Sequence, residues 1–214
     1  MLLEAYVETA EQAAAAVEAG ADRLELCGVG EGGVTPSDAL MRAVLGVVSV
    51  PVHAMVRPRA GNFVYDDAEF EAMRQDIPRL RSLGARGVVF GVLHGDGRLD
   101  LARMGELVTR SAGLRVVCHR AFDATPDADE ALEQLIALGV HEVLTSGHAS
   151  TALEGAAALR RHVERGAGRI QILAGGGVRA HTAVELVQHT GVQALHARAC
   201  DTGVIGGIRA ALRA

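Results

Sequence analysis

The chain has 214 residues, with 21 basic and 26 acidic side chains and a net charge of −5. No run of Lys or Arg could track a phosphate backbone, which excludes a nucleic-acid partner. Hydrophobic residues make up 49% and aromatics only 3%, with no Trp, so the core must be built from Ala, Val, Leu and Ile; this excludes a disordered chain or a coiled coil and suits buried parallel strands in an α/β domain.

A first strand is predicted over Leu2–Val7, and Thr9 with Gln12 has capping-box spacing for the helix after it. Ala19-Gly20-Ala21-Asp22-Arg23-Leu24 then ends that helix in glycine and starts a second strand. The same turn recurs at Leu83-Gly84-Ala85, Leu138-Gly139-Val140 and Thr190-Gly191-Val192. Glycine just past a helix end takes the left-handed conformation without the Cβ penalty, so the four repeats mark four helix-to-strand junctions. They lie roughly 50–65 residues apart, the length of two strand-helix units. Strands predicted at Pro51–Arg57, Leu114–His119 and Arg169–Ala174 fill the intervals. Thr35-Pro36 and Thr125-Pro126 place a capping hydroxyl before a proline at the first helical position, and Thr151 with Glu154 repeats the capping-box spacing.

Eight strands alternating with helices predict a single domain over residues 1–214: a (β/α)8 TIM barrel with a closed, eight-stranded parallel sheet. The last unit is thin. After a strand at Ala194–Ala197 only residues 198–214 remain, so closure is expected to lean on a partner subunit.

In such barrels sites form at the C-terminal ends of the strands. Alternation turns Leu3, Val7, Leu24, Leu26, Val52 and Val56 toward the helices, so Glu4, Tyr6, Glu25, Cys27, His53, Met55 and Arg57 face the lumen. Either His119 or Arg120 points inward on the fifth strand, and Thr145, Gln171 and His196 add polar groups on later strands. Glu4, Glu25 and His119 are candidates for acid-base work on a small polar substrate, with Arg57 and Arg120 as anion clamps. The same charges could instead form an Arg57-carboxylate network that merely fills the lumen. Cys27 and Met55 are soft donors that suit Cu(I). Gly175-Gly176-Gly177 follows the seventh strand, where backbone N–H groups can cradle a phosphate; a tight turn explains it equally. Gly28-Val29-Gly30-Glu31-Gly32-Gly33 matches a dinucleotide fingerprint, but the next helix starts only at Thr35-Pro36 and no acidic residue follows at ribose-binding distance, so it is read as a loop.

Cys27, Cys118 and Cys200 show no C-x-x-C spacing, so neither a disulfide framework nor a structural zinc site is predicted, in keeping with a reducing compartment. Glu4, Glu8 and Glu11 stand where a signal peptide would be basic, and no apolar stretch is long enough to cross a bilayer. The expectation is a cytoplasmic protein with no membrane partner.

Leu3-Glu4 through Glu8-Thr9, Ala19 through Cys27, Glu31 through Ser37, Met55-Val56-Arg57-Pro58-Arg59, His119-Arg120-Ala121-Phe122-Asp123, Leu144-Thr145-Ser146-Gly147 and Gly175-Gly176-Gly177 occur in one order along the chain. Together they resemble the CutC copper-homeostasis family. The resemblance implies a cytoplasmic TIM barrel, often a homodimer, with a part in copper handling or tolerance and copper as the ion bound; the soft donors of this chain then offer Cu(I) Cys27 as the first ligand, with Met55 or His119 as its helper. It adds Arg120 and Asp123 to the candidate catalytic set of Glu4, Glu25, Arg57 and His119, and leaves open an enzyme acting on a small anionic or phosphorylated metabolite. Two departures stand out: Tyr6 occupies a position where the family often carries a cysteine, and the segment 199–207 after the eighth strand is short.

Overall fold

A computed structural model describes residues 1–30, 32–199 and 203–214. Glu31 of the glycine-rich run, and Cys200 in the short segment after the last strand, lie outside the described residues. The elements follow in strict alternation: β1 (Leu2–Val7), α1 (Ala10–Glu18), β2 (Arg23–Leu26), α2 (Asp38–Leu45), β3 (Val52–Met55), α3 (Asp67–Leu83), β4 (Gly87–Phe90), α4 (Leu101–Arg110), β5 (Arg115–Cys118), α5 (Ala128–Ala137), β6 (Glu142–Thr145), α6 (Ala156–Gly166), β7 (Gln171–Gly175), α7 (Ala180–Thr190), β8 (Ala194–Arg198) and α8 (Val204–Ala211).

All neighbouring strands pair in parallel, and β8 bonds to both β7 and β1, with Leu3 opposite Leu195 and Glu4 opposite His196. The barrel thus closes within one chain, which corrects the expectation that closure leans on a partner. The four junction glycines, Gly20, Gly84, Gly139 and Gly191, all take positive φ, as the repeat required.

Between barrel and helices lies an apolar shell. Leu3, Leu24, Leu26, Val52 and Val56 are fully buried in this shell, and the helices add their own apolar faces to it, α3 with Phe70, Met73, Ile77 and Leu80 on one face of a 3.6-residue period. Three helix starts differ from the sequence reading. Ser37 caps α2 and Asp127 caps α5, because Thr35 is already engaged with Arg57 at the end of β3 and Thr125 donates to the Phe122 carbonyl. Thr151 and Glu154 do exchange reciprocal bonds, but they close a turn, and α6 begins later, at Ala156.

Candidate functional site

The lumen is ionic at its base. Arg23, the first residue of β2, donates to Glu4 at 2.6 Å and forks onto both oxygens of Glu142 at 2.8 and 2.6 Å. Arg115 at the start of β5 bonds the same Glu142 carboxylate. The lumen network is therefore built on Arg23, not Arg57, whose terminal nitrogens donate to the carbonyls of Gly32 and Gly61. Arg23 and Glu142 were missed, although Arg23 shares the alternation phase of Glu25 and could have been found by it.

Higher in the barrel, His196 stands between two carboxylates. Its Nδ1 is 2.8 Å from Glu4 Oε1 and its Nε2 is 3.7 Å from Glu25 Oε2. Burial works against charge on Glu4, but the bond from His196 and the field of Arg23 prevail and hold its carboxyl at about 2. Glu25 is 2% exposed and its Oε1 has no partner; burial pushes its carboxyl up to about 7, against the pull of His196. Burial also opposes charge on His196, yet Glu25 and Glu4 hold the imidazole above its ordinary value. Identical side chains on adjacent strands thus take different roles: Glu4 is a fixed anion, while Glu25 and His196 hold an exchangeable proton. These three are also the one group of carboxylate and imidazole donors, among the described residues, close enough to share a cation.

Above them a cavity of about 450 Å³ opens at the C-terminal ends of the strands, lined by Glu25, Arg57, His119, Gly176, Gly177 and Arg198 among others. The imidazoles fit because glycines face them: a Cβ on Gly91 would come within 2.9 Å of the His119 ring, and one on Gly175 within 2.5 Å of Leu144 Cδ1 and 3.3 Å of His196 Cβ. Gly175 thus makes room inside the sheet, while Gly176 and Gly177 line the cavity just before the start of α7. A hollow of about 490 Å³ at the opposite end of the barrel contains Arg115 and Arg169, but both are paired, with Glu142 and Glu133.

Both His119 and Arg120 line the cavity, contrary to the expectation that only one would, because β5 ends at Cys118 and alternation stops there. On β6 the phase is shifted by one residue. Glu142 and Leu144 face the lumen, and Thr145 turns its hydroxyl to Asp123. Gln171 lies at the opposite, N-terminal end beside Arg115. His53 is buried below the cavity, 3.8 Å from Glu4, and burial pushes its imidazole down to about 4. Cys27 and Met55 sit in a buried apolar cluster with Tyr6, Val89 and Leu144; burial raises the Cys27 thiol well above its ordinary value, so it stays protonated.

Asp123 faces away from this chemistry. Its carboxylate accepts from Ser146 N at 3.1 Å, His148 N at 3.2 Å, the Ser146 and Thr145 hydroxyls, and Arg120, and so holds the β6-α6 loop at the rim. Asp123→Asn should raise amide exchange at Ser146 and His148 by roughly tenfold or more as that loop opens locally; unchanged exchange by mass spectrometry would show that the loop stands without it.

The profile of the CutC family matches residues 1–201 of this chain. A family protein CutC from Mesorhizobium japonicum is 47% identical over 196 residues, covering 91% of this chain and 76% of the relative. One from Histophilus somni is 45% identical over 197 residues, covering 92% and 81%. Among solved structures, a CutC protein from Streptococcus agalactiae described as a candidate copper homeostasis protein superposes with a TM-score of 0.87 at 33% identity, covering 92% of this chain and 97% of that one. The chain belongs to the CutC family.

Proposed function

We propose that the barrel mouth is the active site of an enzyme acting on a small anionic metabolite by proton transfer. The observation that carries this reading is Glu25, a cavity-lining residue whose buried Oε1 has no partner in the protein and whose carboxyl burial pushes up to about 7. In this reading Glu25 takes and returns the proton, and His196 relays it. Glu4 fixes the orientation of the His196 ring. Arg57, Arg120 and the amides of Gly176 and Gly177 hold the negative charge, with the start of α7 behind them.

A second reading is copper handling, with the chain binding Cu(I) as cargo through Cys27 and Met55. Two observations favour it: the two soft donors share one buried cluster, of which Met55 reaches the cavity lining, and the Streptococcus relative carries a copper-homeostasis description. It ranks second because Cu(I) must first displace the proton of a fully buried thiol. Both readings have a cytoplasmic homodimer. The described cysteines, Cys27 and Cys118, are free thiols, and among the described residues no helix is long and apolar enough to cross a membrane.

Two titrations separate the readings. The anion-site reading expects inorganic phosphate or oxalate to perturb the amides of Gly176 and Gly177 in a ¹⁵N NMR titration, and Cu(I), added anaerobically against a competing chelator, to bind no better to wild type than to Cys27→Ser. One-to-one Cu(I) binding lost in Cys27→Ser, with no response to either anion, would reverse the order of the two readings.

A further inference from the structure

Two buried polar atoms on residues of the cavity lining have no partner in the protein, Glu25 Oε1 and His119 Nε2. The state of His119 follows from its backbone neighbour. The Ala121 N–H donates to His119 Nδ1 at 3.2 Å, and a nitrogen that accepts carries no proton, so in the neutral ring the proton sits on Nε2. Burial, helped by the Arg57 charge, pushes the imidazole down to about 3, so at neutral pH the ring is uncharged and its Nε2–H is a donor rather than a base. Arg57 is 8% exposed and spends its terminal nitrogens on Gly32 and Gly61, and its guanidinium also stands against the buried Tyr65 hydroxyl. Both side chains flank one aromatic ring: the His119 centroid lies 4.7 Å and the Arg57 guanidinium carbon 4.8 Å from the centroid of Phe63.

The orphaned donor of His119 is matched by an orphaned acceptor on β2, three strands away from β5 around the closed barrel. We infer that His119 Nε2–H receives a carboxylate or carbonyl oxygen of the substrate, with the Arg57 charge beside it, while Glu25 Oε1 faces a proton-bearing group at its other end. This rests on the anion-site reading and narrows it: the substrate class is a small carboxylate or carbonyl compound that also carries a hydroxyl, an amine or an acidic C–H. His119 thereby leaves the set of candidate bases and becomes the group that polarises the oxygen.

The test uses the full chain, ¹⁵N-labelled, with oxalate as the planar-oxygen probe and inorganic phosphate as the tetrahedral one. Long-range ¹H–¹⁵N spectra at pH 7 should show His119 as the Nε2–H tautomer, with that proton shifting on addition of oxalate. By calorimetry, His119→Phe should weaken oxalate roughly tenfold or more, while His119→Gln, which keeps an N–H donor, stays within about threefold of wild type. Circular dichroism confirms folding of both variants. An Nδ1–H tautomer, or oxalate binding that His119→Phe leaves intact, would overturn the inference. If the anions move Gly176 and Gly177 but not His119 Nε2–H, this inference fails and the anion site stands; if neither anion perturbs the cavity, both fail together.

Discussion

Glu25→Gln is expected to stabilise the barrel at pH 8 while removing its capacity for proton transfer. The carboxyl is raised from an ordinary 4.5 to about 7 in the folded chain. The folded state therefore holds this proton more tightly than the unfolded chain does. That contribution is fully present below pH 4.5 and is lost as pH rises through about 7. Above pH 7 the wild type bears the cost of a buried, incompletely paired carboxylate, about 3 kcal/mol, which the neutral amide avoids. Urea unfolding of wild type and variant at pH 4 and pH 8 measures it: the two should be closest at pH 4 and diverge at pH 8, with the variant more stable. Equal stabilities at both pH values would mean that Glu25 ionises without penalty, and the poised carboxyl on which the enzyme reading depends would be gone. A residue kept at a cost to stability is what an active site requires and what a lumen filler would not.

Arg23→Ala should have the opposite sign and the larger effect. It removes three short hydrogen bonds in one step and strands Glu4 and Glu142, which are 1% and 0% exposed, without their shared cation. Breaking one partner out of a buried ionic group costs about 3–5 kcal/mol, because the remaining charges stay buried. Arg23→Lys should recover only part of this, since a single ammonium cannot fork onto Glu142 while reaching Glu4. The denaturation midpoint at pH 7 reads the loss directly, and a shift worth less than about 1 kcal/mol would show that the base of the lumen is hydrated rather than held by Arg23. The Arg23 test reports on the scaffold, the Glu25 test on the chemistry, and their opposite signs keep the two apart.

Much of the fold was legible because its signals are local. A glycine just past a helix end needs only its own dihedrals, and the four repeats placed Gly20, Gly84, Gly139 and Gly191 correctly. Two-residue alternation is equally local, and it turned Glu4, Glu25, His53 and Met55 into the lumen before any partner was known. Alternation failed where the backbone leaves the strand. Past Cys118 both His119 and Arg120 reach the cavity, and on β6 the demand of Arg23 for Glu142 set the phase that Thr145 had been expected to follow.

By itself the sequence determined the eight alternating units and the inward Glu4 and Glu25, since these depend on dihedral preference and periodicity within a few residues. Only the tertiary structure decided what those carboxylates do. His196 meets Glu4 across 192 positions and Arg23 meets Glu142 across 119, pairings fixed by strand register and barrel closure. It is this burial and company that make Glu4 a permanent anion, Glu25 a poised acid and His119 a neutral donor, because a titrating group answers to the dielectric and charges around it and not to its neighbours in the chain.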